Sequence, residues 1–155
     1  MLKDFFGSLF CFGIIRPMTL KSIYEFVSKH DLAVVSTVSS NYSPESAVVE
    51  FAEYEDLTII IDTLSTSRKY ANLQANKEVA IVVGWDDDIT VQINAQAHEL
   101  KDEGLRKAKA VYFAKNERAK KWESRPDIAY FALEPTWIKY SDVSKTPWLI
   151  QEFHL

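Results

Sequence analysis

The sequence predicts a mainly β, α+β fold: an antiparallel barrel of about six strands with flanking helices. Two observations carry this. Short runs rich in β-branched residues follow one another across polar turns of a few residues, which makes successive strands antiparallel neighbours. The helical segments between them are few, without the regular strand–helix–strand rhythm that a doubly wound parallel sheet requires. Length agrees, since 155 residues, 47% of them apolar, suffice for one core.

Residues 19–30 begin with Thr19 as an N-cap and carry Leu20, Ile23, Phe26 and Val27 at helical spacing, so the chain opens on an amphipathic helix. The run LAVVSTVSS from Leu32 is a first strand, and the turn-forming residues Ser39 to Pro44 lead into a second, ESAVVEFAE, reaching Glu53. A polar turn at residues 54–56 precedes a third strand, LTIIIDT, that ends at Thr63. Residues 65–76 are polar with Tyr70 and Leu73 at helical spacing, which reads as a short helix beginning near Ser65 to Ser67. A fourth strand runs from Val79 to Trp85. A fifth follows Asp86 to Asp88 and alternates cleanly, with Ile89, Val91, Ile93, Ala95 and Ala97 on one face and Thr90, Gln92, Asn94, Gln96 and His98 on the other. After Asp102 a longer helix is expected to bury Leu105, Ala108, Tyr112, Ala119 and Trp122. The stretches IAYFALE and TWIKYS, parted by Pro135, form a last bent strand or strand pair.

One domain over residues 18–155 accounts for all of these elements. Residues 1–17 form an apolar extension whose run at 5–15 is too short to span a bilayer and lacks a small-x-small cleavage pattern. It is expected to pack on the domain or on a partner, and Met18 is an alternative start. The net charge of −4 gives no general attraction to nucleic acid or anionic membrane. Residues 101–125 are locally basic, yet they lack the interleaved aromatic platform of a nucleic-acid site and read as a solvated helix face. The single cysteine, Cys11, precludes an intrachain disulfide, and the cytoplasm is the expected compartment. His30, His98 and His154 are scattered without ligand spacing, so no metal site is expected. No serine lies in a nucleophile elbow.

The chemistry concentrates between the third and fourth strands. A buried strand ends at Thr63, and Ser67, Arg68 and Lys69 then stand together where a helix opens. Free backbone N–H groups and the positive helix end favour an anion there, hydroxyls donate hydrogen bonds, and Arg grips phosphate oxygens in pairs. By themselves these residues also fit a capped helix start carrying two solvated cations.

The ordered set of Thr63, Ser67, Arg68, Lys69, Asn72, Leu73, Asn76 and Trp85 resembles the pyridoxamine 5′-phosphate oxidase-like superfamily of FMN-binding split barrels, in particular its general-stress-protein branch. The resemblance covers about residues 20–142. It implies a six-stranded antiparallel split β-barrel and a symmetric homodimer with FMN in the groove between two barrels. On this reading the flavin phosphate lies on Ser67, Arg68 and Lys69. Asp62 and Thr63 approach the ribityl chain, and Val48, Val49, Glu50 and Phe51 border the ring chiefly through their backbone. Thr90 and, more weakly, Gln92 reach the flavin from the fifth strand. Glu50 becomes an acid–base candidate if its side chain faces the ring.

Two departures accompany the resemblance. Ala47 and Ala52 stand where pyridoxamine phosphate oxidases carry basic residues, which implies a modest flavin affinity. The C-terminal TPWLIQEFHL has no Arg-x-His-Asp signature for pyridoxal phosphate, so vitamin B6 oxidation is not implied. The implied activity is that of an FMN-dependent oxidoreductase working on a small molecule or a nicotinamide-type redox partner. The alternatives are a non-catalytic flavin-binding protein that stores or senses the cofactor, and a barrel that has exchanged flavin for heme or another planar ligand.

Overall fold

A computed structural model of the chain describes residues 17–155; the apolar run at residues 5–15 lies outside them. Helix α1 (Leu20–Val27) is fixed by a capping box in which the Thr19 hydroxyl accepts from the Ser22 amide while Ser22 reaches back to the amide of Thr19. Its buried Ile23 and Val27 join the barrel core. The strands are β1 (Leu32–Val38), β2 (Pro44–Glu50), β3 (Ala52–Glu53), β4 (Ile59–Leu64), β5 (Glu78–Val83), β6 (Ile89–Glu99), β7 (Ile128–Asp142) and β8 (Leu149–His154). Helix α2 (Arg68–Ala75) links β4 to β5, and α3 (Asp102–Lys115) links β6 to β7.

All described strand pairs are antiparallel, in the order β2-β1-β5-β6-β7-β4-β3, with β8 added to β7. The path begins on β2 and ends on β3, which only Phe51 separates in the chain. Residues 44–53 therefore act as one broken strand, hydrogen-bonded to β1 before the break and to β4 after it. Counted this way the barrel has six strands.

The break has local causes. Phe51 is fully buried, and its carbonyl accepts a 2.9 Å hydrogen bond from the Asn116 side chain. Beyond it, Glu53 is buried against the Lys115 ammonium, which also stands 4.0 Å from the centre of the Phe51 ring. Asn116 and Lys115 close α3, so this helix clamps the point where the strand changes neighbours.

Period-two alternation sorts the side chains into two cores. Val35, Ile59, Ile61, Ile81, Ile93, Phe131 and Ile138 fill the barrel. On the outside, Ile60, Tyr130 and Ala132 pack under Ala108, Tyr112 and Phe113 of α3.

Several sequence expectations change in detail. The second strand is broken at Phe51 instead of running through to Glu53. The fourth ends at Val83, because Gly84 turns the chain at φ +68 and leaves Trp85 half exposed. Of the two alternatives for the final apolar stretches, the single strand holds: β7 tolerates Pro135 because the pairing register with β6 shifts there, leaving Thr136 as the extra residue between Pro135 and Trp137. The predicted long helix stops at Lys115, and a separate 3-10 turn, Glu117–Trp122, leaves Trp122 46% exposed instead of buried. Strand β8 was not foreseen; its register runs from Trp137 opposite His154 to Asp142 opposite Leu149.

Candidate functional site

Thr63 is the last buried residue of β4, and its hydroxyl lies 2.9 Å from that of Ser67. The Ser67 amide donates to the Leu64 carbonyl, and its hydroxyl accepts from the Tyr70 amide as the N-cap of α2. Strand end and helix start are thus joined by one hydroxyl pair. The first-turn amides of Arg68 and Lys69 have no partner among the described residues. The connecting loop is held down where the Ser65 amide donates to the Asp127 carbonyl at 2.7 Å.

This cradle forms one wall of a cleft of about 570 Å³, lined by Ala47, Val48, Val49 and Glu50 of β2, by Asp62, Thr63, Leu64, Ser67 and Lys69, and by Trp122, Arg125 and Ile128. The volume lies in the range of about 300–1,000 Å³ usual for small-molecule sites. Alternation turns Val49 into the core and leaves Val48 60% exposed with Glu50 exposed beside it. Among the described residues strand β2 is paired only to β1, which leaves the polar backbone groups of its other edge open to a ligand.

Charge in the cleft is mixed. Burial, with the Glu50 charge adding, pushes the Asp62 carboxyl above its usual range, while Tyr112 and Lys69 oppose the shift. Burial lowers the Lys69 ammonium, partly offset by Asp62. Behind Asp62 the hydroxyls of Tyr112 and Tyr130 are buried, and among the described residues neither meets an acceptor at full hydrogen-bond geometry, although the Tyr112 hydroxyl stands close enough to Asp62 to favour its ionised form. Burial and then the Asp62 charge raise both phenols, Tyr130 to about 12.

A smaller recess of about 160 Å³ adjoins through Ala47 and Lys69. There Arg68 pairs with Glu45 at 3.3 Å, and the second Glu45 oxygen accepts from buried Asn72, which also donates to Thr37. Asn72 thus ties α2 to β1 and β2 directly under the cradle.

The fold brings together Val48, Val49, Glu50, Asp62, Thr63, Ser67 and Lys69, with Arg68 in the adjoining recess. Phe51 contributes no side chain, since its ring lies in the core. Thr90 and Gln92 sit on β6, paired with Ser141 and Lys139 of β7, and do not line this cleft. Sequence reasoning missed Arg125 and Ile128 and assigned Trp122 to a core. Local pattern carries no signal for them, because their loop reaches the cleft only through β7 pairing with β4. The acidic Glu45 was likewise passed over, although it lies next to the turn that starts β2.

The family model described as Pyridoxamine 5′-phosphate oxidase matches residues 20–142. No curated protein matches the sequence. Among solved structures, a heme binding protein from Mycobacterium smegmatis is similar with a TM-score of 0.78 at 13% identity, over 91% of this chain and 60% of that one. This chain therefore spans less than two thirds of that protein. General Stress Protein 26 from Bacillus anthracis str. Sterne has a TM-score of 0.67 at 24% identity, over 89% of this chain and 100% of its own. HutZ, the heme storage protein of Vibrio cholerae, has a TM-score of 0.67 at 19% identity, over 76% of this chain and 91% of its own. At these identities the structures share the fold.

Proposed function

Because this chain belongs to the pyridoxamine 5′-phosphate oxidase family, we propose that its cleft binds FMN and that the protein is an FMN-dependent oxidoreductase of a small molecule other than a B6 vitamer. One observation carries the reading: a hydroxyl-and-amide cradle at Thr63, Ser67, Arg68 and Lys69 faces an unpaired β-strand edge across a cleft of small-molecule size. The donor set fits the group. Two free amides, the Ser67 hydroxyl and the Lys69 ammonium receive a phosphate; Asp62 and Thr63 accept from and donate to sugar-like hydroxyls; the β2 edge offers alternating donors and acceptors to a flat heterocycle.

When bound, FMN supplies two-electron redox chemistry. The chain itself binds, orients and shields. Val48, Leu64, Trp122 and Ile128 provide apolar surface at the cleft, while Glu50, Asp62 and Lys69 supply its charged side chains. A homodimer with the ligand in the groove between two barrels would cover the exposed rim and bring the outward face of β6, with Thr90 and Gln92, to the site of the other copy. Heme is disfavoured by the donor set: an axial iron ligand is His, Cys, Met or Tyr, and among the described residues none of these lines the cleft.

Titrating the protein with FMN while following flavin fluorescence tests the reading. Ser67→Ala with Lys69→Ala removes a hydrogen bond and a charge-assisted contact of about 1.5–3 kcal/mol, weakening FMN by about tenfold or more. Unchanged affinity would reject the cradle, and preferential binding of hemin would reject the cofactor. Bleaching of the bound flavin by NADH or NADPH, with turnover on an acceptor, separates an oxidoreductase from a protein that only stores or senses flavin.

A further inference from the structure

The recess beside the cradle holds a carboxylate where a phosphate site gains nothing from one. Glu45 stands opposite Thr37 in the β1–β2 register and reaches under α2. One of its oxygens accepts from the Asn72 amide at 3.0 Å, and the other meets the Arg68 guanidinium at 3.3 Å. The same Asn72 amide donates to the buried Thr37 hydroxyl at 3.0 Å. Ala47 and Lys69 line both the recess and the cleft, so this ion pair sits directly beside the cradle.

The two halves of the pair differ in freedom. The Glu45 side chain is 25% exposed and anchored by Asn72, which is itself buried and tied to β1. The Arg68 side chain is 84% exposed, and an ion pair so open to water gains little over solvation. Arg68 therefore swings at small cost while Glu45 stays in place. The remaining charge at the cleft makes that swing matter. Arg125 is held by Asp127 through hydrogen bonds of 2.9 and 2.7 Å, and Lys69 shares the cleft with Glu50 and Asp62. A phosphate monoester brings a charge of about −1.5 to −2 at pH 7. Arg68 is the cation able to come forward to it, from the same helix start whose first-turn amides lack partners among the described residues.

We propose that Glu45 is a specificity-determining residue of this cleft: its carboxylate holds Arg68 in the empty protein as an internal stand-in for phosphate, and a phosphate-bearing ligand must take Arg68 from it. This rests on the phosphate-cradle reading. Glu45 copies two features of a bound phosphate, an anionic oxygen on the guanidinium and a second oxygen on an amide donor. Once Arg68 has moved, the anchored carboxylate remains as a like charge beside the phosphate. Both effects weaken a phosphorylated flavin and leave an unphosphorylated one untouched, so Glu45 sets how strongly the cleft prefers FMN to riboflavin.

Titrating the full chain with FMN and, separately, with riboflavin, each followed by flavin fluorescence, reads the ratio of the two dissociation constants. In Glu45→Gln the side-chain carbonyl still accepts from Asn72, while the charge and the hold on Arg68 are gone. This variant is expected to bind FMN about three- to tenfold more tightly than the wild type and riboflavin equally well. Its urea midpoint should be equal to that of the wild type or lower, because an ion pair has been lost. Arg68→Ala should cost about three- to tenfold more FMN affinity in the Glu45→Gln background than in the wild type, since only there is Arg68 free from the start. An unchanged FMN-to-riboflavin ratio in Glu45→Gln, a tightening shared by both flavins, or an Arg68→Ala cost that is the same in both backgrounds overturns the proposal while leaving FMN binding standing. Absence of FMN binding by the wild type overturns both.

Discussion

Replacing Asn116 by Ala tests the clamp that holds the broken strand. Asn116 is 8% exposed, and its amide donates to the Phe51 carbonyl at 2.9 Å. Phe51 is fully buried at the break between β2 and β3, so its carbonyl has no water to turn to. An unsatisfied buried acceptor costs about 1–3 kcal/mol, and the vacated side-chain volume adds to it, giving about 2–3 kcal/mol in all. With a urea slope of about 2 kcal/mol per M, the unfolding midpoint should fall by about 1 M at unchanged slope. Asn116→Asp keeps the size but loses the donor, so it should be at least as damaging. Because Phe51 directly follows Glu50, FMN affinity should weaken in the same variants under conditions where they remain folded. A midpoint unchanged in Asn116→Ala, or Asn116→Asp as stable as the parent, would refute the assignment of this hydrogen bond as the clamp.

Four other outcomes are expected. Ser67→Ala removes the N-cap of α2 and should cost about 1 kcal/mol by urea denaturation, together with a loss of FMN affinity. Gly84→Ala places a Cβ 2.6 Å from the Phe26 ring at φ +68, and the left-handed backbone alone costs about 1 kcal/mol, so its thermal midpoint should drop by several degrees. Glu53→Gln leaves the Lys115 ammonium buried without its counter-charge and should cost about 3 kcal/mol, more than any exposed ion-pair variant such as Glu103→Gln on α3. Burial holds the Asp62 carboxyl above its ordinary value of 3.8, so the folded state holds this proton more tightly than the unfolded chain. Its charge therefore costs stability above the folded pKa, and the cost is relieved as pH falls through that value and gone below 3.8. Asp62→Asn should accordingly be more stable than the parent near neutral pH and no more stable in acid, as read from denaturation midpoints across pH.

Much of the fold was legible because its signals are local. The alternation of Ile89 through Ala97 fixed which face of β6 enters the core, and the buried Val91, Ile93 and Ala95 confirm it. The order of Thr63, Ser67, Arg68 and Lys69 marked a strand end joined to a helix start, and the 2.9 Å hydroxyl pair is that junction. Phe51 was read as part of a continuous strand because its break is imposed from α3, 65 residues away along the chain. Pro135 left one bent strand or a strand pair open, and the choice fell to the pairing with β6, where Asn94 opposite Trp137 and Ala95 opposite Pro135 leave Thr136 as the extra residue. Strand β8 escaped because apolar Ile150 stands on its exposed side and polar Gln151 on its covered side, which hides the alternation in the sequence, and only the long edge of β7 orders it.

The sequence by itself determined the class of fold, the inward and outward faces of most strands, and the junction of strand end and helix start at residues 63–69, since each follows from side-chain period, turn chemistry or helix-end signals within a few residues. Tertiary structure alone decided that β2 stops pairing at Phe51 and so keeps a free edge beside the cradle, that Trp122, Arg125 and Ile128 complete the cleft wall, and that Asp62 stands against two buried phenols. These depend on pairings between residues far apart in the chain, whose contact free energy must outweigh the entropy of bringing them together, and no local pattern records that balance.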